Sequence, residues 1–141
     1  TPATLGTALR VPDGVVIESP VVRPGGDYVV FHSVRGALGK LDVATGAFSS
    51  ITVPGVARWP AFSPDGNRLV FELYGDGESL AEIAVLDAVS GETKVLTDND
   101  AEDRHPLFAS DGRTVLYETI EPDPVFPKSR KLVWVAAVPA P

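Results

Sequence analysis

The sequence predicts an all-β fold made of three similar units. The first observation is a strand–turn–strand pattern over residues 58–71, in which the tetrapeptide Ser-Pro-Asp-Gly at 63–66 separates two apolar segments. Proline presets φ at the first corner of such a turn, aspartate bonds to nearby amides, and glycine accepts a positive φ. Asp42 and Asp87 precede two further turns at matched positions and are predicted to stabilise them. The second observation is that the whole pattern is repeated along the chain.

The repetition is visible when the sequence is aligned with itself. A constant shift of 40 (46 − 6 and 71 − 31) superimposes residues 46–71 on residues 6–31 without a gap. A shift of 46 (104 − 58 and 117 − 71) superimposes residues 58–71 on residues 104–117. Repeats of about 40–45 residues with four strands each have the period of a β-propeller blade. We therefore predict one domain over residues 1–141, with blades at about 17–52, 58–97 and 104–138 plus a strand at 6–11.

These residues resemble the TolB-type, WD-like β-propeller repeat. The resemblance rests on the turn at 63–66, on Trp-Pro-Ala-Phe at 59–62, and on residues 83–97, which contain Ile-Ala-Val-Leu-Asp and Leu-Thr. It covers nearly the whole chain, and the middle repeat matches best. The first repeat has Arg-Pro-Gly-Gly at 23–26, and the third has Ala-Ser-Asp-Gly at 109–112. The motif is specific for the fold and says little about activity, because propellers host many functions.

Composition excludes several classes of protein. The chain of 141 residues has a net charge of −7, with 12 basic and 19 acidic residues, which argues against a nucleic-acid partner. No apolar run approaches the roughly 18 residues of a membrane-spanning helix, so no transmembrane segment is predicted. The absence of cysteine excludes disulfides and thiolate metal sites. The TolB-like resemblance implies a periplasmic or secreted bacterial protein, and the residues alone leave a cytoplasmic one open.

The predicted strands include one extra outer strand at the start of the array and lack one outer strand at its end. Residues 6–11 align with the outermost strands at 46–52 and 91–97, whereas the third blade has no outer strand of its own. Three blades do not close a ring, since propellers have about 4–8, and open strand edges are a liability. We predict a head-to-tail homodimer with twofold symmetry, in which residues 6–11 of each copy complete the third blade of the other in a six-bladed ring. The alternative is that the chain is a piece of a larger propeller.

The first candidate binding residues share one repeat position, where the innermost strands begin. They are Arg58, Trp59, Arg104 and His105. Guanidinium forks and aromatic walls at the mouth of the central channel suit a carboxylate or a partner's peptide. From the residues alone we favour the alternative that the arginines pair with acids such as Asp103 while the rings pack the channel. The first repeat has Glu-Ser at 18–19, so a ring of arginines would be incomplete.

A second group of candidates consists of acidic residues on the irregular loops. They are Asp76, Glu78, Asp100 and Asp103. Functional residues concentrate on loops over a rigid scaffold, and these side chains would steer a basic partner. The acidic run at 98–103 lacks the spaced ligands and central glycine of a calcium loop, so a solvated loop is the better reading and no metal is predicted.

No catalytic constellation is recognisable in the sequence. It has no Gly-x-Ser-x-Gly nucleophile elbow and no phosphate-binding glycine loop. Its two histidines are too few for a histidine-rich zinc site. We therefore predict a non-enzymatic protein–protein interaction scaffold that uses no cofactor and docks a protein partner on its loop face. This face carries the irregular loops at 32–37, 53–58, 74–80, 98–104 and 120–130. The alternatives are small-ligand or glycan binding at the channel mouth, and a fragment of a larger propeller or a propeller-bearing hydrolase.

Overall fold

The computed structural model describes residues 8–77, 80–121, 125, 129–135 and 138. In that part of the chain, antiparallel strands form three sheets. The first contains, in order, β1 (Ile17–Val22), β2 (Tyr28–Ser33), β3 (Leu38–Asp42) and β4 (Phe48–Ile51). The second contains β5 (Val56–Phe62), β6 (Arg68–Tyr74), β7 (Glu82–Asp87) and β8 (Thr93–Val95). The third contains β9 (Glu102–Phe108), β10 (Val115–Glu121) and β11 (Ser129–Val135). The predicted all-β class with antiparallel sheets is confirmed; the first two sheets have four strands each, and the third has three within the described residues.

The predicted turn chemistry is also confirmed. The Gly66 N–H donates to the Ser63 carbonyl at 2.8 Å, and Gly66 has a φ of 71°. Asp65 Oδ1 accepts a bond of 3.0 Å from the backbone N–H two residues later. Asp42 and Asp87 each accept a 2.8 Å bond from the backbone N–H three residues later. These aspartates therefore stabilise turns, as their positions in the sequence indicate.

The middle sheet is buried on both faces. Leu69, Phe71 and Leu73 of β6 pack against a cluster that includes Val30 of the first sheet. The intervening Val70 belongs to a second cluster, shared with the third sheet. Side chains along a strand point alternately to opposite faces, so β6 contributes to two cores at once. All residues from 69 to 73 are accordingly 5% exposed or less.

The two junctions between neighbouring sheets are built alike. The Ala57 N–H donates to the Gly36 carbonyl at 2.7 Å, which joins the first sheet to the second. The Asp103 N–H donates to the Ala81 carbonyl at 2.9 Å, which joins the second sheet to the third. Donors and acceptors lie at matched repeat positions (103 − 57 = 46 and 81 − 36 = 45). The repetition in the sequence is therefore a repetition of contacts between blades.

The innermost strands start earlier than the sequence predicts. β5 begins at Val56 and β9 at Glu102, three residues before the predicted starts at Trp59 and His105 (59 − 56 and 105 − 102). The register of each strand pair shifts at the predicted start and pairing continues on both sides of it. A β-bulge interrupts a strand without ending it, which accounts for the difference.

The predicted outer strand at 6–11 is described only in part. Residues 8–11 form no strand in this chain, and residues 6 and 7 lie outside the described residues. The predicted pairing is with a second copy, so ring closure stays a prediction. Within the described residues, no helix is long and apolar enough to span a membrane.

Candidate functional site

Each innermost strand contains one residue with a left-handed backbone. The φ angles are 47° at Ser19, 51° at Trp59 and 52° at His105, and each of these residues precedes a proline. The three occupy one repeat position (59 − 19 = 40 and 105 − 59 = 46). Such a conformation costs about 1–3 kcal/mol outside glycine and persists only where surrounding contacts hold it. The bulge is therefore a repeated feature that other parts of the fold must stabilise.

A side chain of the preceding blade holds the bulge. The Trp59 N–H donates to Nδ1 of His32 at 3.3 Å, and the His105 N–H donates to Oε1 of Glu72 at 2.9 Å. His32 lies on β2 and Glu72 on β6, at matched positions (72 − 32 = 40). They are 2% and 1% exposed. The first and second blades thus each fix the strained residue of the next blade through their second strand.

The contacts of His32 define its tautomer. Nδ1 accepts the Trp59 N–H, and Nε2 lies 3.0 Å from Oε2 of Glu18. A neutral imidazole has one donor and one acceptor nitrogen. The ring therefore carries its proton on Nε2 and donates it to the Glu18 carboxylate.

Glu72 is an ionisable group inside the protein. Burial raises the pKa of its carboxyl group above the ordinary value, and the bond from the His105 N–H opposes that rise. The Tyr74 hydroxyl lies 3.3 Å from Oε2 and supplies a further donor. The carboxyl group is thus costly to bury and is kept by the bonds it makes across the junction.

The bulges line an apolar cleft of about 430 Å³. Its walls are the left-handed residue and the next two residues of each innermost strand, at 19–21, 59–61 and 105–107. The Trp59 ring meets the His105 ring edge to face, with centroids 4.9 Å apart, and lies 6.2 Å from the His32 ring. The structure therefore brings the predicted Trp59 and His105 together, in an aromatic row that crosses three blades. Trp59 remains 46% exposed.

The two predicted arginines are engaged beside the cleft and do not line it. The guanidinium of Arg58 lies 5.3 Å from the centre of the Tyr74 ring, within reach of a cation–π interaction. Arg104 forms an ion pair with Glu102. An acid does pair with this arginine, as the alternative interpretation expects, but it is Glu102 and not Asp103.

The acidic candidates are placed differently from one another. Asp103 is fully buried, and its carboxylate accepts a bond of 2.7 Å from the Thr119 hydroxyl. It supports the third sheet from inside, where no partner reaches it in this conformation. Asp76 and Asp100 are exposed on their loops. Glu78 lies outside the described residues.

Sequence reasoning missed His32 and Glu72 as part of this site. The sequence did contain a signal for these two residues. Each is the single ionisable residue of an otherwise apolar segment, and both occupy the same repeat position. A polar group in such a segment is buried and must find a partner. What the sequence does not contain is the identity of that partner, a backbone N–H on the following blade.

Comparison with known proteins identifies the fold. No family model and no curated protein matches the sequence. The structure is similar to TolB from Acinetobacter baumannii, with a TM-score of 0.68 and 22% identity over 86% of this chain and 30% of that one. It is similar to a prolyl endopeptidase, with a TM-score of 0.70 and 15% identity over 96% of this chain and 23% of that one. It is also similar to the β-propeller domain of the Trilobed protease from Pyrococcus furiosus, with a TM-score of 0.56 and 18% identity over 77% of this chain and 35% of that one.

These likenesses concern the fold alone, because the identities are below 25%. The chain spans about a third or less of the length of each of these proteins. The predicted repeat type is nevertheless confirmed by the structural neighbours, which include TolB and the β-propeller domain of the Trilobed protease. The chain has a TolB-like β-propeller repeat fold.

Proposed function

We propose that this chain is a non-enzymatic scaffold that docks a protein partner on the loop face of a TolB-like propeller, in the periplasm or outside a bacterial cell. The observation that carries the proposal is the half-exposed Trp59 ring beside an apolar cleft. Tryptophans at the centre of a concave apolar surface are frequent hot spots of protein interfaces. Leu107, at the rim of the same cleft, is 59% exposed and extends the apolar surface.

Charge supports a basic partner. The chain has a net charge of −7, and Asp76 and Asp100 are exposed on the irregular loops. Exposed acidic side chains accelerate the encounter with a basic protein and contribute less to the final affinity. The proposed partner therefore presents an apolar or aromatic anchor and a surface that carries lysine and arginine.

Partner capture followed by a binding measurement tests this function. A tagged chain retrieves candidates from the native source, and each purified candidate is then titrated with wild type, Trp59→Ala and Val89→Ala. Val89 is 84% exposed in the turn between β7 and β8, does not line the cleft, and serves as the matched control. We expect Trp59→Ala to weaken binding by at least tenfold and Val89→Ala to leave it unchanged. Equal binding by all three proteins would contradict the proposal.

A second candidate function is the binding of a small carboxylate or a glycan in the cleft. Its volume of about 430 Å³ lies within the usual range for ligand sites, and Trp59 forms one wall. Titration of tryptophan fluorescence with small acids and sugars tests it. A saturable change in the wild type that is lost in Trp59→Ala supports this function, and a constant signal with every ligand rejects it.

We also propose that two copies of the chain join head to tail in a six-bladed ring. The support is an exposed face on the first blade. Ile17 is 43% exposed, whereas Ala57 and Asp103 at the same repeat position are fully buried against a preceding blade. Light scattering of the folded chain tests the ring, with an expected mass of 29.8 kDa (2 × 14.9). A folded monomer of 14.9 kDa would contradict it and favour a larger propeller built from further sequence.

A further inference from the structure

Both junctions inside the chain are held by the same kind of contact, between an acceptor side chain on one blade and a backbone N–H on the next. The third blade has a residue at the position of the acceptor. His32 and Glu72 accept the N–H of the left-handed residue that follows on the next blade. The matched position in the third blade is Glu118 (118 − 72 = 46). Glu118 lies opposite Arg104 in its sheet, as Glu72 lies opposite Arg58.

The first blade has a residue at the position of the donor, the left-handed residue that precedes a proline. Ser19 has a φ of 47° and precedes Pro20, as Trp59 precedes Pro60. Among the described residues, no sheet precedes the first blade and holds the Ser19 N–H. We propose that Glu118 of one copy accepts the Ser19 N–H of a second copy of this chain. This contact, called the latch below, depends on the proposed ring and would join its two copies.

Side chains on the outer face of the third blade are less buried than their counterparts on the second blade, as expected if a further blade packs there. Val70 and Glu72 are 0% and 1% exposed, because the third sheet covers them. Their counterparts Leu116 and Glu118 are only half-buried, and the Glu118 side chain is 30% exposed. The face of β10 that points away from the second blade therefore continues an interface already formed within the chain.

Burial on the first blade shows the complementary face. Pro60 and Pro106 are buried at the bulges of the second and third blades, whereas Pro20 is exposed. Val22, at the end of β1, is 61% exposed, while its counterpart Phe62 is packed against the core. A second copy seated here would cover the same positions that the blades of this chain cover in one another.

The chemistry of Glu118 suits the latch. Its Oε2 lies 3.3 Å from Nδ1 of His105, within its own blade. A carboxylate accepts several hydrogen bonds at once, so this contact is compatible with a further bond from a backbone N–H. Glu72 shows the arrangement that we propose for Glu118, with Oε1 bonded to the next blade and Oε2 near a side chain of its own blade. A charged acceptor makes a stronger bond than a neutral one, which favours Glu at this position.

Sedimentation analysis of variants tests the latch. Glu118→Gln keeps an acceptor of the same length, and Glu118→Met keeps the length without the acceptor. The twofold dimer contains the bond twice, so a loss of about tenfold per bond weakens the dimer roughly 100-fold in Glu118→Met. Glu118→Gln weakens it less. Glu92→Met, at an exposed position of the second blade, is the control and leaves the dimer unchanged.

Cross-linking between copies locates the contact independently. The chain has no cysteine, so single substitutions give unique reactive sites. Ser19→Cys keeps the backbone N–H, and Leu116→Cys lies two residues from Glu118 on the same face of β10. We expect a short bismaleimide to join these two variants when they are mixed, and not to join Ser19→Cys to Val89→Cys.

The outcomes separate the latch from the proposals on which it rests. A dimer that cross-links as expected but tolerates Glu118→Met as well as Glu118→Gln overturns the latch and leaves the ring standing. A monomer, or a dimer that does not cross-link, overturns both. Neither result bears on partner binding, which the Trp59→Ala measurement decides separately.

Discussion

Replacing Gly36 by alanine tests how tightly the first two blades are joined. Gly36 has a φ of 77°, and its carbonyl accepts the Ala57 N–H at the junction. A Cβ at this position would lie 2.1 Å from Cγ1 and 3.1 Å from Cβ of Val56. Gly26 has the same φ of 77°, but an added Cβ there meets no heavy atom of the described chain within 4 Å. Gly26→Ala is therefore a matched control for backbone strain without a clash.

The expected magnitudes follow from these two environments. A left-handed alanine costs about 1–2 kcal/mol, offset by about 0.4–1 kcal/mol from the less flexible unfolded chain. Gly26→Ala should thus lower the free energy of unfolding by about 1 kcal/mol. Gly36→Ala carries an additional overpacking cost of about 1–3 kcal/mol. Removing the obstructing methyl groups in Gly36→Ala/Val56→Ala should recover most of that additional loss.

Urea unfolding at constant temperature measures all of these differences. Thermal unfolding provides a second readout, at about 3 °C per kcal/mol for a chain of this size. Equal losses in Gly36→Ala and Gly26→Ala would contradict the expected clash with Val56, because they would mean that the junction adjusts without cost. Failure of Val56→Ala to relieve Gly36→Ala would show that the clash is not the cause.

Three further predictions concern single side chains. Burial raises the pKa of Glu72 above its ordinary 4.5, so the folded protein loses stability as the pH rises from 4.5 through the raised pKa. Glu72→Gln should abolish this loss in urea titrations between about pH 4 and pH 8. An unchanged loss of stability in Glu72→Gln would contradict the prediction. Hydrogen bonds from the Thr114 hydroxyl and backbone lower the pKa of Asp111 from 3.8 to about 2, so Asp111 stabilises the fold above pH 3.8 and this stabilisation is lost as the pH falls through about 2. Acid unfolding of Asp111→Ala should lack this pH-dependent loss of stability. An acid-unfolding profile identical to that of wild type would argue against the turn bonds. Phe71 is fully buried between two sheets, so Phe71→Ala should cost about 3–5 kcal/mol in chemical denaturation, and a loss below about 1 kcal/mol would mean that β6 is not a shared core strand.

Local features of the fold could be predicted because their physics is local. The Asp65 turn depends on proline, aspartate and glycine within four residues, and each plays its predicted part. The repeat spacing likewise predicts that Trp59 and His105 occupy equal places, and both line one cleft. Neither result requires knowledge of what lies across the sheet.

The contacts between blades could not be predicted in the same way. His32 and Glu72 stand in apolar segments, but their acceptor role depends on where the next bulge places its N–H. Asp103 looks like a loop acid in the sequence, yet strand β9 begins before it and carries it into the interior. Which face of a strand meets a neighbour is a property of the assembled sheets, and the sequence pattern alone leaves it open.

Amide hydrogen exchange at the bulges of Trp59 and His105 tests directly whether the preceding blade holds each of them. If each blade holds the strained residue of the next, the Trp59 and His105 amides exchange slowly and at similar rates, because both are bonded to buried side chains. Glu72→Met should release the His105 amide and leave the Trp59 amide protected. Fast exchange at both residues in the folded wild-type protein would contradict the account, since the bulges would then persist without the contacts that are said to hold them.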